Sequence, residues 1–398
     1  MGPDGPAHTA LLPRLGAALL EAGRLADADR VLTEAIDHAH GDPWLRSRAQ
    51  VERQLVRLQA GSGAPIEDTE RIAESALTVL EAHGDELGQC RALCLRARHA
   101  FIEGRSAQAD EAWRRAAEHA RRADDEGALS EILDWRAAAA LVGPTPVPEA
   151  IALCGEIYEQ VRGSPVAVAR TSRPMAALHA MAGNFDEAHR LVRASDELLG
   201  ELGGLDSAVT QQEAVVEILA DRPAAAEGRL RRGYERLEEM GEKALLATTA
   251  AMLAEALYVQ GRDREAAAFC RVSRTAAAGD DLAAQVGWRV VRAKLLAEEG
   301  HGDEAEALAK EAVRLVEPTD FLTLHAEALV GLAAVLRHGR RWDEADAAIR
   351  AALELYLRKG DAISAAHACS LIGAAAGRQG ENPRMEMQHV QVRDGHAW

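Results

Sequence analysis

A short pattern recurs along this chain at a nearly constant interval, and this periodicity limits the possible folds more than any other feature. One copy, GNFDEAHRLV, begins at Gly183. Each copy contains a residue suited to ending a helix and, five residues later, an alanine. The seven helix-ending residues are Gly23, Gly104, Gly183, Asp221, Gly261, Gly300 and Arg340. Their separations are 38 to 40 residues in the second half of the chain and 81 and 79 residues in the first half.

The two long separations are twice the others, so each predicts a degenerate copy in its middle. The segments AGSGAPIEDTERIAESAL near Gly61 and LVGPTPVPEAIALCGEI near Gly143 occupy these places. The chain therefore reads as nine units of about 40 residues. A fixed period in this range is typical of a solenoid, in which neighbouring units stack because one unit cannot bury its apolar face alone.

Each unit is predicted to contain two helices. Glycine is frequent at the end of the first helix because it adopts a left-handed conformation without a Cβ clash. Acidic pairs such as Asp186 and Glu187 suit the start of the second helix, where free N–H groups favour negative charge. The recurring alanine is small enough for the two helices to approach closely. These alanines are Ala28, Ala109, Ala188, Ala226, Ala266, Ala305 and Ala345.

The composition agrees with an all-α fold. Aromatic residues make up only 4% of the chain, whereas strands favour aromatic and β-branched residues. We therefore predict an α-helical solenoid over residues 9–378, ending in a capping helix within Asp361 to Gly377. Residues 1–8 are predicted to be disordered and residues 379–398 to form a mobile tail, because neither shows helical periodicity. The Pro-rich stretch GPTPVP, from Gly143, is predicted to be a turn, and Pro174 to break or start a helix.

The charge disfavours several classes of partner. The chain has 63 acidic against 46 basic side chains, a formal charge of −17, so neither nucleic acid nor an anionic membrane is an expected partner. No apolar run approaches the roughly 20 residues of a membrane-spanning helix, and the first residues do not resemble a signal peptide. Five cysteines are an odd, sparse set, which favours a reducing cytoplasm.

No motif for catalysis, metal binding or cofactor binding was found. Cys90 and Cys94 are four residues apart on one predicted helix, but a zinc site needs two further ligands at close spacing. A buried structural pair is the favoured interpretation. The acidic pairs recur at the same place in many units, which indicates helix starts and not acid–base chemistry. We therefore expect no enzyme activity, no metal and no cofactor.

The repeat resembles the tetratricopeptide repeat (TPR), with a longer unit than is usual in that family. In the first unit Leu15, Gly16 and Leu19 precede Gly23, and Ala28 follows it, at the spacing of that family. The resemblance implies a right-handed superhelix whose concave groove binds a protein or peptide. By this likeness, the candidate groove residues are Arg91, Arg98, Phe101, Arg170, Arg173, Tyr258 and Lys294. The four arginines either bind the carboxylates of an acidic peptide or pair with neighbouring acidic side chains.

The second half of the chain also resembles the C-terminal TPR arrays of bacterial class III adenylate/guanylate cyclase–ATPase signalling proteins and of related large ATP-binding regulators. Segments such as LRRGYERLEEMGEKALLATTAAMLAEALYVQGRDREA carry this likeness. The sequence lacks a G-x-x-x-x-G-K-[ST] phosphate loop and a cyclase-like segment. Two functions are therefore expected: a non-catalytic binding scaffold or sensor in bacterial signalling, or the regulatory part of a cyclase–ATPase or transcriptional regulator whose catalytic or DNA-binding part is elsewhere. The oligomeric state is left open.

Overall fold

A computed structural model of the protein describes residues 6–39, 41–59, 66–201, 209–240 and 242–372. All regular secondary structure in these residues is α-helical, in 19 helices. The chain divides into two compact units, Met1–Ala139 and Ala140–Trp398, which we call unit 1 and unit 2. The predicted all-α repeat fold is confirmed.

Unit 1 contains three helix pairs and most of a seventh helix, which continues three residues past the boundary. The helices are α1 (Pro6–Glu21), α2 (Leu25–His38), α3 (Pro43–Gln59), α4 (Ile66–Ala82), α5 (Glu86–Ile102), α6 (Ser106–Arg122) and α7 (Glu126–Val142). The first helix thus begins at Pro6, three residues before the predicted start of the array, while residues 1–5 lie outside the described part of the chain.

Unit 2 contains five helix pairs preceded by α8 and followed by one single helix. The helices are α8 (Val147–Gln160), α9 (Pro165–Met181), α10 (Phe185–Glu201), α11 (Val209–Leu219), α12 (Pro223–Met240), α13 (Lys243–Val259), α14 (Asp263–Ala276), α15 (Leu282–Glu298), α16 (Gly302–Val316), α17 (Leu322–His338), α18 (Trp342–Lys359) and α19 (Ala362–Leu371). The last is the predicted capping helix. Its predicted continuation beyond residue 372, and the predicted tail, lie outside the described residues.

The recurring sequence pattern marks the turn inside seven of the helix pairs. All seven helix-ending residues have φ between 57° and 86°. Five are glycines, but Asp221 and Arg340 adopt this left-handed conformation despite their Cβ atoms, which is uncommon for such residues. The seven recurring alanines are 0% exposed, so each lies where the helices of a pair meet. The acidic pairs Asp186–Glu187, Asp303–Glu304 and Asp343–Glu344 lie in first turns of helices, as predicted.

Of the two predictions based on prolines, the turn at GPTPVP is correct and the helix break or start at Pro174 is wrong. GPTPVP forms the turn between α7 and α8, with Pro146 as the residue that precedes the helix. Pro174, in contrast, does not break a helix, because α9 runs through it from Pro165 to Met181. A proline inside a helix removes one backbone hydrogen bond, and the burial of the Pro174 ring within the helix packing offsets part of this cost.

The core is a thin layer between successive helices. In unit 2, for example, Leu257 on α13, Ala266 and Cys270 on α14 and Leu295 on α15 are buried in one cluster. Trp113 is among the largest fully buried side chains of unit 1 and packs with Ala109 and Cys90. Burial is therefore continuous along each stack, as a solenoid requires.

A buried lysine joins the last helix pair of unit 2 to its beginning. The Lys359 ammonium, at the end of α18, donates to the carbonyl oxygens of Ala140, Gly143 and Thr145 at 2.7, 2.8 and 2.8 Å. These carbonyls lie at the end of α7 and in the following turn, where a helix leaves its last carbonyls without intrahelical partners. Burial lowers the pKa of Lys359 to about 8, so the ammonium is still mostly protonated at pH 7.

The backbone beside Lys359 also brings the last helix pair of unit 2 close to the beginning of that unit. Gly360 ends α18 in a left-handed conformation, with φ 76°, and a Cβ at this position would lie 3.4 Å from the backbone nitrogen of Val147. Helix α19 then packs against α9. The end of unit 2 thus contacts its beginning through Lys359, Gly360 and α19. No described helix has the length and apolar character needed to cross a membrane.

Candidate functional site: the inner faces of the two units

The odd-numbered helices are the first members of the pairs, and they lie side by side along each unit. Polar side chains one repeat apart on these helices contact each other, and together they form what we call the inner face. In unit 1 it is built by α3, α5 and α7. In unit 2 we call it the recess, and the side chains that define it lie on α13, α15 and α17 and at the start of α19. All seven candidate binding residues lie on odd-numbered helices.

Arg91 is buried in a chain of ion pairs in unit 1. Its guanidinium binds both carboxylate oxygens of Glu52 at 2.9 Å, and it also contacts Glu131 at 3.2 Å. Glu52 lies 39 residues before Arg91, and Glu131 lies 40 residues after it, so the three residues occupy equivalent positions in successive repeats. Interaction with Glu52 raises the pKa of Arg91 despite its burial.

Arg98 and Phe101 lie about two and three turns further along α5 than Arg91. The Arg98 guanidinium is 3.7 Å from Glu131 and lies over the ring of Trp135, 4.8 Å from its centre. Phe101 contacts the rings of Trp113 and Trp135, each 5.7 Å away between centres. The structure therefore brings Arg91 and Arg98 to the same carboxylate, that of Glu131. Their charges are directed to acidic and aromatic neighbours, which is the second of the two alternatives.

The two candidate arginines of α9 differ in exposure. Arg170 is exposed. Arg173 is only 5% exposed and donates to the hydroxyl of Ser195 on α10 at 3.4 Å. It also interacts with the carboxylate of Glu213 on α11, 40 residues later in the chain. Arg173 thus lies between the second helix of its own pair and the first helix of the next.

Tyr258 and Lys294 come together in unit 2. The Lys294 ammonium contacts the carboxylate of Glu255 at 2.7 Å and lies 5.1 Å from the centre of the Tyr258 ring. The Tyr258 hydroxyl donates to Glu298 at 2.9 Å. These pairs are 39 and 40 residues apart, so they repeat the arrangement around Arg91 in the other unit.

Further charged groups face Lys294 from later helices. Glu327 on α17 interacts with Glu255, Asp361 and Lys294, and His367 on α19 interacts with Asp221 and Lys294. Glu327 is solvent-exposed, yet it stands in the recess among groups from several successive repeats. Among the residues of the recess, Glu327 is thus exposed and Glu255 is partly exposed, whereas Lys294, Tyr258 and Asp361 are buried.

The electrostatics of the recess differ from those of an open surface. Although the Glu327 side chain is reached by water, the protein atoms packed around it displace part of its hydration. This partial desolvation, and then the nearby carboxylates of Glu255 and Asp361, raise the pKa of Glu327 to about 7. Burial lowers the pKa of His367, so this imidazole is neutral at pH 7. The protonation of Glu327 thus changes near neutral pH, whereas an ordinary glutamate is fully ionised there.

The described residues contain no group of three or more His, Cys, Asp and Glu side chains arranged to hold a metal ion. Cys90 and Cys94 are both buried, and the hydrogen bond between them and their burial raise the pKa of Cys94 well above its usual value. This thiol pair is a packing element of unit 1.

Several residues of the recess were not found from the sequence. Glu327 and His367 interact with Lys294, and Asp361 interacts with Glu327, but none of the three was among the candidate binding residues. The ion pairs around Arg91 and Lys294 did have a signal, since acidic and basic residues stand 39 or 40 residues apart. A search for opposite charges one repeat apart would have found them.

Comparison with solved structures shows that the fold is shared with helical repeat proteins. A Rap protein in complex with competence and sporulation factor is 14% identical, with a TM-score of 0.67, over 89% of this chain and 99% of that chain. RapI in its apo form is 13% identical, with a TM-score of 0.54, over 88% and 98%. Aspartyl phosphate phosphatase F from Bacillus subtilis is 11% identical, with a TM-score of 0.54, over 89% and 96%. No family model matches the chain, and no curated protein matches it.

Proposed function

We propose that this protein is a non-catalytic regulatory scaffold that binds a peptide, or an extended segment of a protein, in the recess of unit 2. The observation that carries the proposal is the position of Glu327. Its side chain is accessible to solvent and interacts with charged groups from other repeats. A ligand in the recess would therefore meet several helices at once, which is how a solenoid presents a binding surface.

The charge of the recess favours a ligand with a cationic group. Glu255, Glu298, Glu327 and Asp361 contribute carboxyls, whereas Lys294 contributes the ammonium that is paired with Glu255. An N-terminal amine or a lysine or arginine side chain would compensate this excess of negative charge. The acidic ligand expected from the sequence relied largely on Arg91 and Arg98, and both contact Glu131 in unit 1.

The similar solved structures agree with a ligand-binding role. One of them is a Rap protein in complex with competence and sporulation factor, so the same fold, at low identity, holds a bound factor in another protein. We place the protein in the bacterial cytoplasm, where its free cysteines would stay reduced.

The binding proposal can be tested with fluorescently labelled synthetic pentapeptides that differ in charge. We expect lysine- and arginine-containing peptides to bind more tightly than glutamate-containing ones, as measured by fluorescence anisotropy. The substitution Glu327→Gln removes one carboxylate without changing the size of the side chain. It should weaken binding of the basic peptides about tenfold, since a charge-assisted contact contributes about 1.5–3 kcal/mol.

A matched control is Glu304→Gln. Glu304 is also an exposed glutamate, but it lies in the first turn of α16, a second helix of its pair. This variant should bind the peptides like the wild type. Equal affinity of the wild type and Glu327→Gln for every peptide that binds would contradict the proposal.

Catalysis is a separate question, because one of the similar structures is named as an aspartyl phosphate phosphatase. We propose that this chain has no such activity. Incubation with acetyl phosphate, an acyl phosphate like phosphoaspartate, should release inorganic phosphate no faster than buffer does. Protein-dependent release that scales with concentration would overturn this part of the proposal.

A second candidate is the regulatory part of a cyclase–ATPase or transcriptional regulator whose catalytic or DNA-binding part is elsewhere. It is favoured by the sequence likeness of the second half to the TPR arrays of those proteins. Under this hypothesis the recess binds a partner domain and not a free peptide. Addition of the purified chain should then change the rate of a class III cyclase or the DNA binding of a regulator encoded beside it. No change in either would favour the free peptide.

A further inference from the structure

A cleft separate from the inner face opens between α14 and α15, with a volume of about 400 Å³. The side chains of Ala267 and Cys270 on α14 are small and leave room for the cleft. Trp288 on α15 also lines it. Cys270 and Trp288 are buried, at 3% and 8% exposure. Burial raises the pKa of the Cys270 thiol to about 12, so it stays neutral. The floor of the cleft is thus apolar and uncharged.

Three arginines line the cleft above this floor. Arg292 forms two contacts with Glu299, at 3.0 and 3.1 Å. Arg271 and Arg274 are exposed, and within the described part of the chain neither guanidinium has an ion pair or a hydrogen bond. Three positive charges therefore meet one negative charge, in a chain whose formal charge is −17.

Arg271 and Arg274 differ from the neighbouring arginines of the same surface, which bind acidic side chains. Arg262, at the start of α14, binds Glu227 and Glu265, and Arg231 binds the same two glutamates. Acidic side chains are thus abundant around α14, but none reaches Arg271 or Arg274 in the described residues. Guanidinium groups bind carboxylates and phosphates with two parallel hydrogen bonds, and an apolar floor beside them suits the body of an organic ligand.

We propose that the cleft between α14 and α15 binds a small organic anion. Its apolar body lies on Ala267, Cys270 and Trp288, and its carboxylate or phosphate is held by Arg271 and Arg274. A medium-chain acyl or aromatic carboxylate has the required chemistry. This site is independent of the peptide site, because its residues come from a second helix and from the side of α15 that packs on it.

The test uses the full chain and 8-anilinonaphthalene-1-sulfonate, a fluorescent probe with an aromatic body and one anionic group. We expect saturable binding with one strong site, which octanoate displaces and octylamine does not. The double substitution Arg271→Gln and Arg274→Gln should weaken probe binding at least about tenfold, since it removes two charge-assisted contacts. Both side chains are exposed, so the variant should fold, as circular dichroism can verify.

Two controls distinguish this site from others. Arg264→Gln removes an exposed arginine of the same helix that does not line the cleft, and it should leave the affinity for the probe unchanged. Glu327→Gln should also leave it unchanged, even if it abolishes peptide binding. Probe binding that is as tight in the Arg271/Arg274 variant as in the wild type would overturn the proposal, and so would displacement of the probe by octylamine as effective as by octanoate.

Discussion

The inner faces of units 1 and 2 contain the same periodic ion pairs, but the solvent exposure of these pairs differs. In both, opposite charges one repeat apart form ion pairs: Arg91 with Glu52 in unit 1, and Lys294 with Glu255 in unit 2. The side chains of the first pair are 10% and 4% exposed, whereas Glu255 in the second is 33% exposed. The periodic ion pair is therefore a structural element in unit 1, while in unit 2 it is part of a surface that water reaches.

This difference shows that a residue does not bind a ligand merely because it lies on an inner face. A charged side chain is available to a ligand only when its neighbours in adjacent repeats leave charge uncompensated. Arg91 contacts two glutamates. In the recess, Glu327 adds a further carboxylate to those of Glu255 and Asp361.

The largest decrease in the free energy of unfolding is expected from Arg91→Met. The substitution keeps much of the volume but leaves the buried carboxylate of Glu52 without its partner. Breaking a buried ion pair in this way costs about 3–5 kcal/mol, which chemical denaturation would measure. The control Arg114→Met removes an exposed arginine that pairs with Glu111 and Glu118 on its own helix, and it should leave the denaturation midpoint nearly unchanged because exposed ion pairs contribute little. Equal losses of stability in Arg91→Met and Arg114→Met would contradict the view that the Arg91–Glu52 ion pair is a buried structural element of unit 1.

Lys359→Met should have the next largest effect, confined to unit 2. Three carbonyl oxygens lose their donor, and unsatisfied buried groups cost about 1–3 kcal/mol each. Because the substitution also removes the cost of burying an ammonium, we expect a net loss of about 2–3 kcal/mol. Hydrogen exchange should increase at the end of α7 and in α8 and α9. The exposed neighbour Arg358 gives the control Arg358→Met, which should change neither stability nor exchange.

Lys294→Met is the direct counterpart of Arg91→Met. Glu255 is partly exposed, so water replaces the lost ammonium, and we expect a loss of about 1–2 kcal/mol. A thermal unfolding series of the two variants and the wild type would test the ranking. If the Lys294 variant were destabilised as much as the Arg91 variant, the recess would be as closed as the inner face of unit 1.

The smallest effect concerns the protonation of Glu327. Its pKa of about 7 is above the value of an unfolded glutamate, so the neutral form is favoured in the folded chain. This contribution to stability is complete below pH 4.5 and is lost as the pH rises through 7. Carboxyl carbon NMR, assigned with Glu327→Gln, should show a titration midpoint near pH 7. Glu255→Gln should lower this midpoint by about 0.3 pH units, and a midpoint near 4.5 in the wild type would contradict the account of the recess.

The repeats could be predicted from the sequence because they rest on local chemistry. A residue that tolerates positive φ, an acidic first turn and a buried alanine are each determined by a few neighbouring residues. Pro174 was misjudged because its effect depends on the packing around α9. The candidate residues Tyr258 and Lys294 were placed on first helices of successive repeats, but their contact was not predicted.

The recess and the cleft could not be predicted in the same way. Glu327 and Asp361 come together through the packing of the last helices, which the recurring pattern does not encode. The cleft depends on two small side chains and on arginines that lack partners, and an unpaired arginine looks the same in a sequence as a paired one. Whether residues 9–378 behave as one continuous array also stays a prediction.

The contacts of Lys359 have a consequence for how unit 2 folds. An open array of repeats is quasi-one-dimensional, so it can fold or fray from either end, one repeat at a time. Lys359 hydrogen-bonds to residues 214 to 219 positions earlier in the chain, and such distant contacts raise the contact order and slow folding. They also tie the last repeat to the first, so neither end can fray alone. Unit 2 should therefore unfold in a single cooperative transition, in the manner of a globular domain.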